Sequence, residues 1–190
     1  PLRIYEESVT PQFSWQDAVR NWPALARIEE WMALGETGSA RSEWLFLLDE
    51  ENYQNKLQLG LVAQQRGWAH LGIQAGIRAK AKDALALRFP TPAQRIFARY
   101  AKSRDVAESF LYALARQESA MYERAQSAVG ATGLMQLMPA TAAHTAKKMG
   151  EPEPSPSSLV NPDVNVRLGS AYIKMLLDLY DGNRVLAAAA

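Results

Sequence analysis

The sequence predicts a mainly α protein, with a helical-repeat segment of the αα superhelix type over residues 1–88 and a second domain over 89–190. Three observations predict this. Apolar residues recur at helical rather than alternating spacing through most of the chain. The prolines of Phe89-Pro-Thr-Pro92 stop a helix and stiffen the link that follows, marking a boundary. The stretches Ala33–Ala40 and Ala63–Ala69 both place a small residue soon after a Gly turn, as helix-turn-helix repeats do. Two such units cannot bury a repeat core alone, so they need helical neighbours or the second domain.

Each element has its own warrant. Ser14 is placed to cap a first helix, and Pro23 interrupts it. A second helix over 23–34 carries Leu25, Ile28, Trp31 and Met32, and a turn at Gly35–Gly38 follows. Further helices are expected over 39–48, 51–65 and 68–87. Arg78, Lys80 and Lys82 then fall in the last turns of a helix, where cations suit the dipole. Trp15, Trp22, Trp31, Trp44 and Trp68 could stack on sugars, but tryptophan at helical spacing is more often a packing anchor. Past the boundary, a short helix over 93–102 leads to a longer one capped by Asp105, with Val106, Phe110, Leu111 and Leu114 on its buried face. Residues 122–129 read as a polar loop. Pro139 opens a helix that ends at Gly150, a position suited to a left-handed cap. Glu151–Pro156 is too rich in proline to be helical. After Asn161-Pro-Asp163, a helix over 164–180 places Leu168, Tyr172, Leu176 and Leu179 on one side. Asp181–Asn183 ends it, and another helix starts at Arg184.

Composition narrows the function. The chain has 190 residues, a formal net charge of +1 and no cysteine. Near-neutrality lacks the concentrated basic face that nucleic acid requires, and disulfides and cysteine-based zinc sites are excluded. No stretch is apolar enough to span a membrane, and no signal-type segment opens the chain, so a mature form or a fragment is expected. Two distant histidines without an H-E-x-x-H pattern give no metal site, and no cofactor motif is present.

The chemistry centres on Ala115-Arg-Gln-Glu118-Ser-Ala. At 3.6 residues per turn Glu118 continues the Leu111/Leu114 face, so its carboxylate is expected to press toward the core near a helix C-terminus. Desolvation and the dipole would then both favour the neutral acid, which suits a general acid. Next comes the glycine-punctuated apolar run Gly130-Ala-Thr-Gly133-Leu-Met-Gln136-Leu-Met138-Pro139. It is too short for a core helix, and Gln136 reads as a polar anchor among apolar neighbours.

Together, E-S-A at 118–120 and S-x-V-G-A-x-G-L-M-Q-L-M-P at 127–139 resemble the soluble lytic murein transglycosylases (family 1, Slt-type). The similarity runs from about Phe89 to the end and includes Asn161-Pro-Asp163 and Ala171-Tyr172-Ile173. It implies that residues 89–190 form a lysozyme-like α+β catalytic domain of the goose-lysozyme type, and that residues 1–88 close the family's helical region. Glu118 would be the catalytic acid and then base. Ser127 and Gln136 would contact sugar, Gly133 and Met138 would shape the wall, Ser119 would help orient the acid and Tyr172 would flank the site. The implied reaction cleaves the β-1,4 bond between N-acetylmuramic acid and N-acetylglucosamine and leaves a 1,6-anhydro end. The implied partners are peptidoglycan glycan strands, in the periplasm, and the resemblance admits cell-wall synthesis or division proteins as well. The family continues with Tyr-Asn-Ala-Gly where this chain stops, at Ala187–Ala190, so the domain is expected to be truncated at its C-terminus.

Two rivals remain at this point. One is a goose-type-lysozyme-like hydrolase that delivers water instead of the sugar hydroxyl. The other is a non-catalytic helical-repeat scaffold with a degenerate lysozyme-like domain, against which Glu118, Gln136 and the glycine pattern argue. A nucleophilic pairing of Ser127 with His144 lacks a strained elbow. Most glycosidases use two carboxylates. Glu108 lies on the Glu118 helix at about 15 Å, and Asp163 and Asp178 could approach only through the fold.

Overall fold

The computed structural model describes residues 6–190. They form two compact units, one ending at Pro90 and the other running from Thr91 to Ala190. Both are helical. The described residues contain isolated bridges at Gln126–Thr132 and Thr132–Leu137 but no strand longer than a bridge, so the expected β contribution reduces to paired single residues.

The first unit contains α1 (Trp15–Asn21), α2 (Ala24–Ala33), α3 (Thr37–Glu50), α4 (Tyr53–Gln65), α5 (Ala69–Arg78) and α6 (Leu85–Arg88). Ser14 caps α1 as expected, accepting from the Asp17 amide, and Pro23 separates α1 from α2. Consecutive helices pair as hairpins, α2 with α3 and α4 with α5. Trp22, Leu25, Ile28, Trp44, Leu48 and Leu71 share the core. Trp22 and Trp44 are packing residues, whereas Trp31 is exposed. Trp44 is fully buried, and its indole N–H donates to the Leu71 carbonyl at 2.9 Å. Trp15 and Trp68 meet edge to face at 5.5 Å, with the Arg66 guanidinium over both rings and paired with Glu29.

The helix expected over 68–87 is broken. α5 stops at Arg78, Lys80 adopts φ 57°, and the Lys80 and Ala81 amides donate back to Ile77 and Gly76. This is a Schellman turn with lysine where glycine is usual. Its reward is burial, because the turn brings Ala81, Ala84 and Leu87 against Leu57. Lys80 and Lys82 therefore lie beyond the helix, and only Arg78 sits in its last turn.

The second unit contains α7 (Gln94–Arg104), α8 (Glu108–Ser119), α9 (Pro139–Lys148), a 3₁₀ turn (Pro156–Val160), α10 (Pro162–Leu179) and α11 (Arg184–Ala189). Asp105 does not cap α8. It sits at φ 52° after α7, where the Val106 amide reaches the Ala101 carbonyl, and α8 begins after Ala107 without a side-chain cap. Burial of Val106 offers the physical reason, since it supplies the apolar contact that accompanies such a turn. Gly150, in contrast, takes the expected left-handed position after α9. α10 is the central helix of this unit and packs on α7, α9 and the 3₁₀ turn. Asn161 caps it by accepting from the Asp163 and Val164 amides, and Pro162 occupies the first turn, where a missing N–H costs nothing. Phe97 of α7 stacks on Tyr112 of α8 at 4.2 Å, and Tyr112 donates to the Pro92 carbonyl. None of the described helices is long and apolar enough to cross a membrane.

Candidate active site

α8 delivers Glu118 on its last turn. Leu111 and Ala115 of the same face are fully buried, so the helical register is the one the sequence predicts. The expected burial of Glu118 is not observed, for its side chain is exposed. The last turn of α8 runs out over a cleft of about 250 Å³ instead of under a packed element. Glu118 carries the only side-chain carboxylate among the described residues lining that cleft.

Gln136, Met138 and Tyr172 share the cleft with Glu118. Gln136 adopts φ 45°, a left-handed conformation that costs a side-chain-bearing residue about 1–2 kcal/mol. Its side-chain amide compensates by donating to the Gly133 carbonyl at 3.0 Å and the Ala125 carbonyl at 3.2 Å. Both donors are thereby used inside the loop, and the side-chain oxygen is the acceptor that remains. Ala120 (φ 51°) and Met121 (φ 60°), directly after α8, are left-handed as well. Strained backbone thus brackets Glu118 and Gln136, as it often does at functional sites.

Ser119, Ser127 and Gly133 do not line the cleft. The Ser119 hydroxyl donates to the Ala115 carbonyl within its own helix at 3.0 Å. Ser127 closes the loop beneath Gln136. Its amide donates to the Ala131 carbonyl at 2.9 Å, and its hydroxyl accepts from the Ala131 amide at 3.0 Å. Gly133 (φ 82°) lies against α10, where a Cβ would come within 2.3 Å of both the Asn165 side-chain amide and the Leu159 carbonyl oxygen.

Three further acids of this unit are engaged elsewhere. Asp163 accepts from the Tyr100 hydroxyl at 2.9 Å and faces Arg99 at 3.4 Å; burial first, and then this carboxylate, push the Tyr100 phenol up. Asp178 pairs with Lys174, and Glu151 with Arg167. His144 is exposed and lies on a different groove, beside Lys147 and Glu151, so it forms no pair with Ser127.

Sequence reasoning missed Asn165. It is fully buried on α10 and makes three hydrogen bonds to the loop layer beneath the cleft. A signal was present, because asparagine is a poor helix former and here it stands between apolar neighbours in the middle of an amphipathic pattern.

Against known families, residues 95–190 match the Transglycosylase SLT domain, and residues 18–85 match the Soluble lytic murein transglycosylase L domain. The chain therefore belongs to the soluble lytic murein transglycosylase family. The soluble lytic murein transglycosylase of Salmonella typhimurium is 37% identical over 174 residues, covering 91% of this chain and 27% of its own. The Haemophilus influenzae protein, a putative soluble lytic murein transglycosylase in its own name, is 36% identical over 182 residues, covering 96% and 31%. Among solved structures, the 70 kDa soluble lytic transglycosylase of Escherichia coli superposes with a TM-score of 0.91 at 35% identity, covering 99% of this chain and 30% of that one. An inactive glutamate-to-glutamine mutant of the Pseudomonas aeruginosa lytic transglycosylase Slt gives 0.90 at 36%, covering 100% and 31%. The chain spans roughly a third or less of the length of these relatives.

Proposed function

We propose that this protein is a lytic transglycosylase that cleaves the β-1,4 bond between N-acetylmuramic acid and N-acetylglucosamine in peptidoglycan. The observation that carries the proposal is the cleft with a single side-chain carboxylate, Glu118, which it shares with Gln136 and Tyr172. Two-carboxylate hydrolysis needs a second acid to hold water or to attack carbon. One carboxylate suffices when the substrate brings its own nucleophile. Protonated Glu118 donates to the glycosidic oxygen, the bond from that oxygen to C1 of muramic acid breaks, and positive charge develops on the ring. The resulting carboxylate takes the proton of the C6 hydroxyl, whose oxygen bonds to C1. The products are a free 4-hydroxyl and a 1,6-anhydro end, with no water consumed. An attacking hydroxyl held within the same sugar gains a large effective concentration.

In this reading the oxygen of Gln136 accepts from a sugar hydroxyl or N-acetyl N–H. Met138 and Tyr172 form apolar and aromatic walls, and Ser119, Ser127 and Gly133 support the loop and helix end that carry the site. Residues 89–190 act as the catalytic domain and residues 1–88 as the end of a helical region. The substrate places the protein in the periplasm. That a Pseudomonas aeruginosa relative is inactive as a glutamate-to-glutamine mutant supports an essential glutamate.

Mass spectrometry of products from purified peptidoglycan tests the proposal. The intact protein should release muropeptides lighter than hydrolysis products by one water, and Glu118→Gln should release none. Reducing ends in place of anhydro ends would assign a hydrolase. Absence of any product from the wild type would leave a binding role.

A further inference from the structure

We propose that Asn165 is a positioning residue for the cleft, acting through Met135 to hold Gln136 opposite Glu118; this rests on the function proposed above. Asn165 does not itself line the cleft, yet three bonds from its buried side chain organise the segment that does. Its oxygen accepts from the Met135 amide at 2.8 Å. Its amide donates to the Thr132 carbonyl at 2.9 Å and the Leu159 carbonyl at 2.8 Å. The side chain thus joins the start of the glycine loop, the residue just before Gln136 and the 3₁₀ turn. Every one of its hydrogen-bonding groups except one lone pair is used.

One turn further along α10, Gly169 completes the grip. A Cβ there would come within 2.5 Å of the Met135 sulfur and 3.1 Å of its Cβ, so the absence of a side chain at Gly169 is what lets Met135 lie on the helix. Met135 is therefore held by its backbone from Asn165 and seated by its side chain on Gly169. The next residue is Gln136, in its left-handed conformation. A further turn along α10 brings Tyr172 to the same cleft. A single helix therefore fixes the two walls relative to each other, and the polar wall depends on one asparagine.

The experiment compares the intact wild type with Asn165→Ala, Gly169→Ala and Val166→Ala. The last is a core truncation on the same helix, at a fully buried position that does not line the cleft. Hydrogen exchange of a peptide covering residues 132–138 is the direct readout, and it does not depend on activity. Losing a charge-neutral buried bond of about 1.4 kcal/mol should speed exchange at Met135 roughly tenfold in Asn165→Ala. The α8 peptide ending at Glu118 should be unchanged. In Gly169→Ala the Asn165 bonds persist, but the displaced Met135 should still deprotect this segment. Release of anhydromuropeptides should then fall about tenfold or more in kcat for both variants, against less than twofold for Val166→Ala at a temperature where all are folded. Unchanged exchange at 132–138 in Asn165→Ala would overturn the positioning role. So would an equal loss of turnover in Val166→Ala, which would reduce Asn165 to general stability. If the wild type yields no anhydro product, the functional reading fails, and the exchange measurement still decides whether Asn165 holds the loop.

Discussion

Replacing Gly133 by alanine should nearly unfold the second unit, whereas replacing Gly130 should not. The two glycines lie three residues apart in one loop and both have positive φ, 82° and 93°. They differ in what a Cβ would meet. At Gly130 nothing lies within 4 Å. At Gly133 the new carbon would stand 2.3 Å from the Leu159 carbonyl oxygen and 2.3 Å from the Asn165 side-chain nitrogen, two atoms that are themselves hydrogen-bonded. Neither is the free end of a flexible chain. Leu159 is fixed in the 3₁₀ turn and Asn165 in α10, so the bond between them must open or the loop must lift.

The magnitude follows in parts. A side chain in left-handed backbone costs about 1–2 kcal/mol, and this term applies at both positions. Overpacking a tight site adds about 1–3 kcal/mol, and breaking a buried hydrogen bond about 1–3 kcal/mol more, at Gly133 alone. Gly133→Ala should therefore lose about 3–8 kcal/mol, a large share of the 5–15 kcal/mol that holds a typical domain. For a unit of this size the melting temperature should fall by about 15 °C or more, against about 5–10 °C for Gly130→Ala. Urea titration read by hydrogen exchange of peptides from α10 would separate the two. Losses equal within about 0.5 kcal/mol would refute the contact term and leave only backbone conformation.

Other outcomes follow from buried or strained single residues. His70 is almost fully buried in the first unit, and burial, with a smaller contribution from Arg41, pulls its pKa down from 6.5 to about 4. The unfolded chain therefore binds the extra proton first. The neutral-His contribution is fully present above pH 6.5 and is lost as pH falls toward 4, by about 3 kcal/mol in total. Tryptophan fluorescence reports this unit, which holds all five tryptophans, and His70→Gln should flatten the decline in its unfolding midpoint between those pH values. Ala120→Gly should leave the melting temperature unchanged or raise it by a few degrees, because it removes a left-handed penalty of about 1–2 kcal/mol while adding unfolded-state entropy of about 0.4–1 kcal/mol. A fall of 5 °C would show that Ala120 packs in a way its backbone does not reveal.

The helices were legible where local chemistry announces itself. Ser14, Pro23, Pro139 and Gly150 each mark an end that the structure reproduces, because each acts on backbone groups within one turn. The errors share one cause. Lys80 and Asp105 both take the left-handed residue of a Schellman turn, a role for which glycine is the readable signal. In each case the following residue, Ala81 or Val106, becomes buried, and tertiary contact overrides the local preference. A periodic pattern cannot report this, since the same apolar residues would equally continue the helix or sit beyond its end.

The site divides along the same line. The face of Glu118 was legible, being a matter of register on one helix. Its exposure was not, because it depends on what stands opposite, and the cleft is assembled from α8, the glycine loop, α9, α10 and α11. Gln136 stood out as a polar residue in an apolar run, yet its two donors turned out to serve Ala125 and Gly133. Asn165 shows the limit most clearly. Its partners Met135 and Thr132 are thirty or more residues away, and no spacing rule connects them. A buried amide whose bonding groups are almost all used is expensive to leave half-satisfied, so it tolerates one arrangement of the loop and penalises the rest. That selectivity can hold Gln136 in a strained conformation beside Glu118. The face that carries the candidate acid could be read locally, while the contacts of Asn165 could be found only once distant segments were brought together.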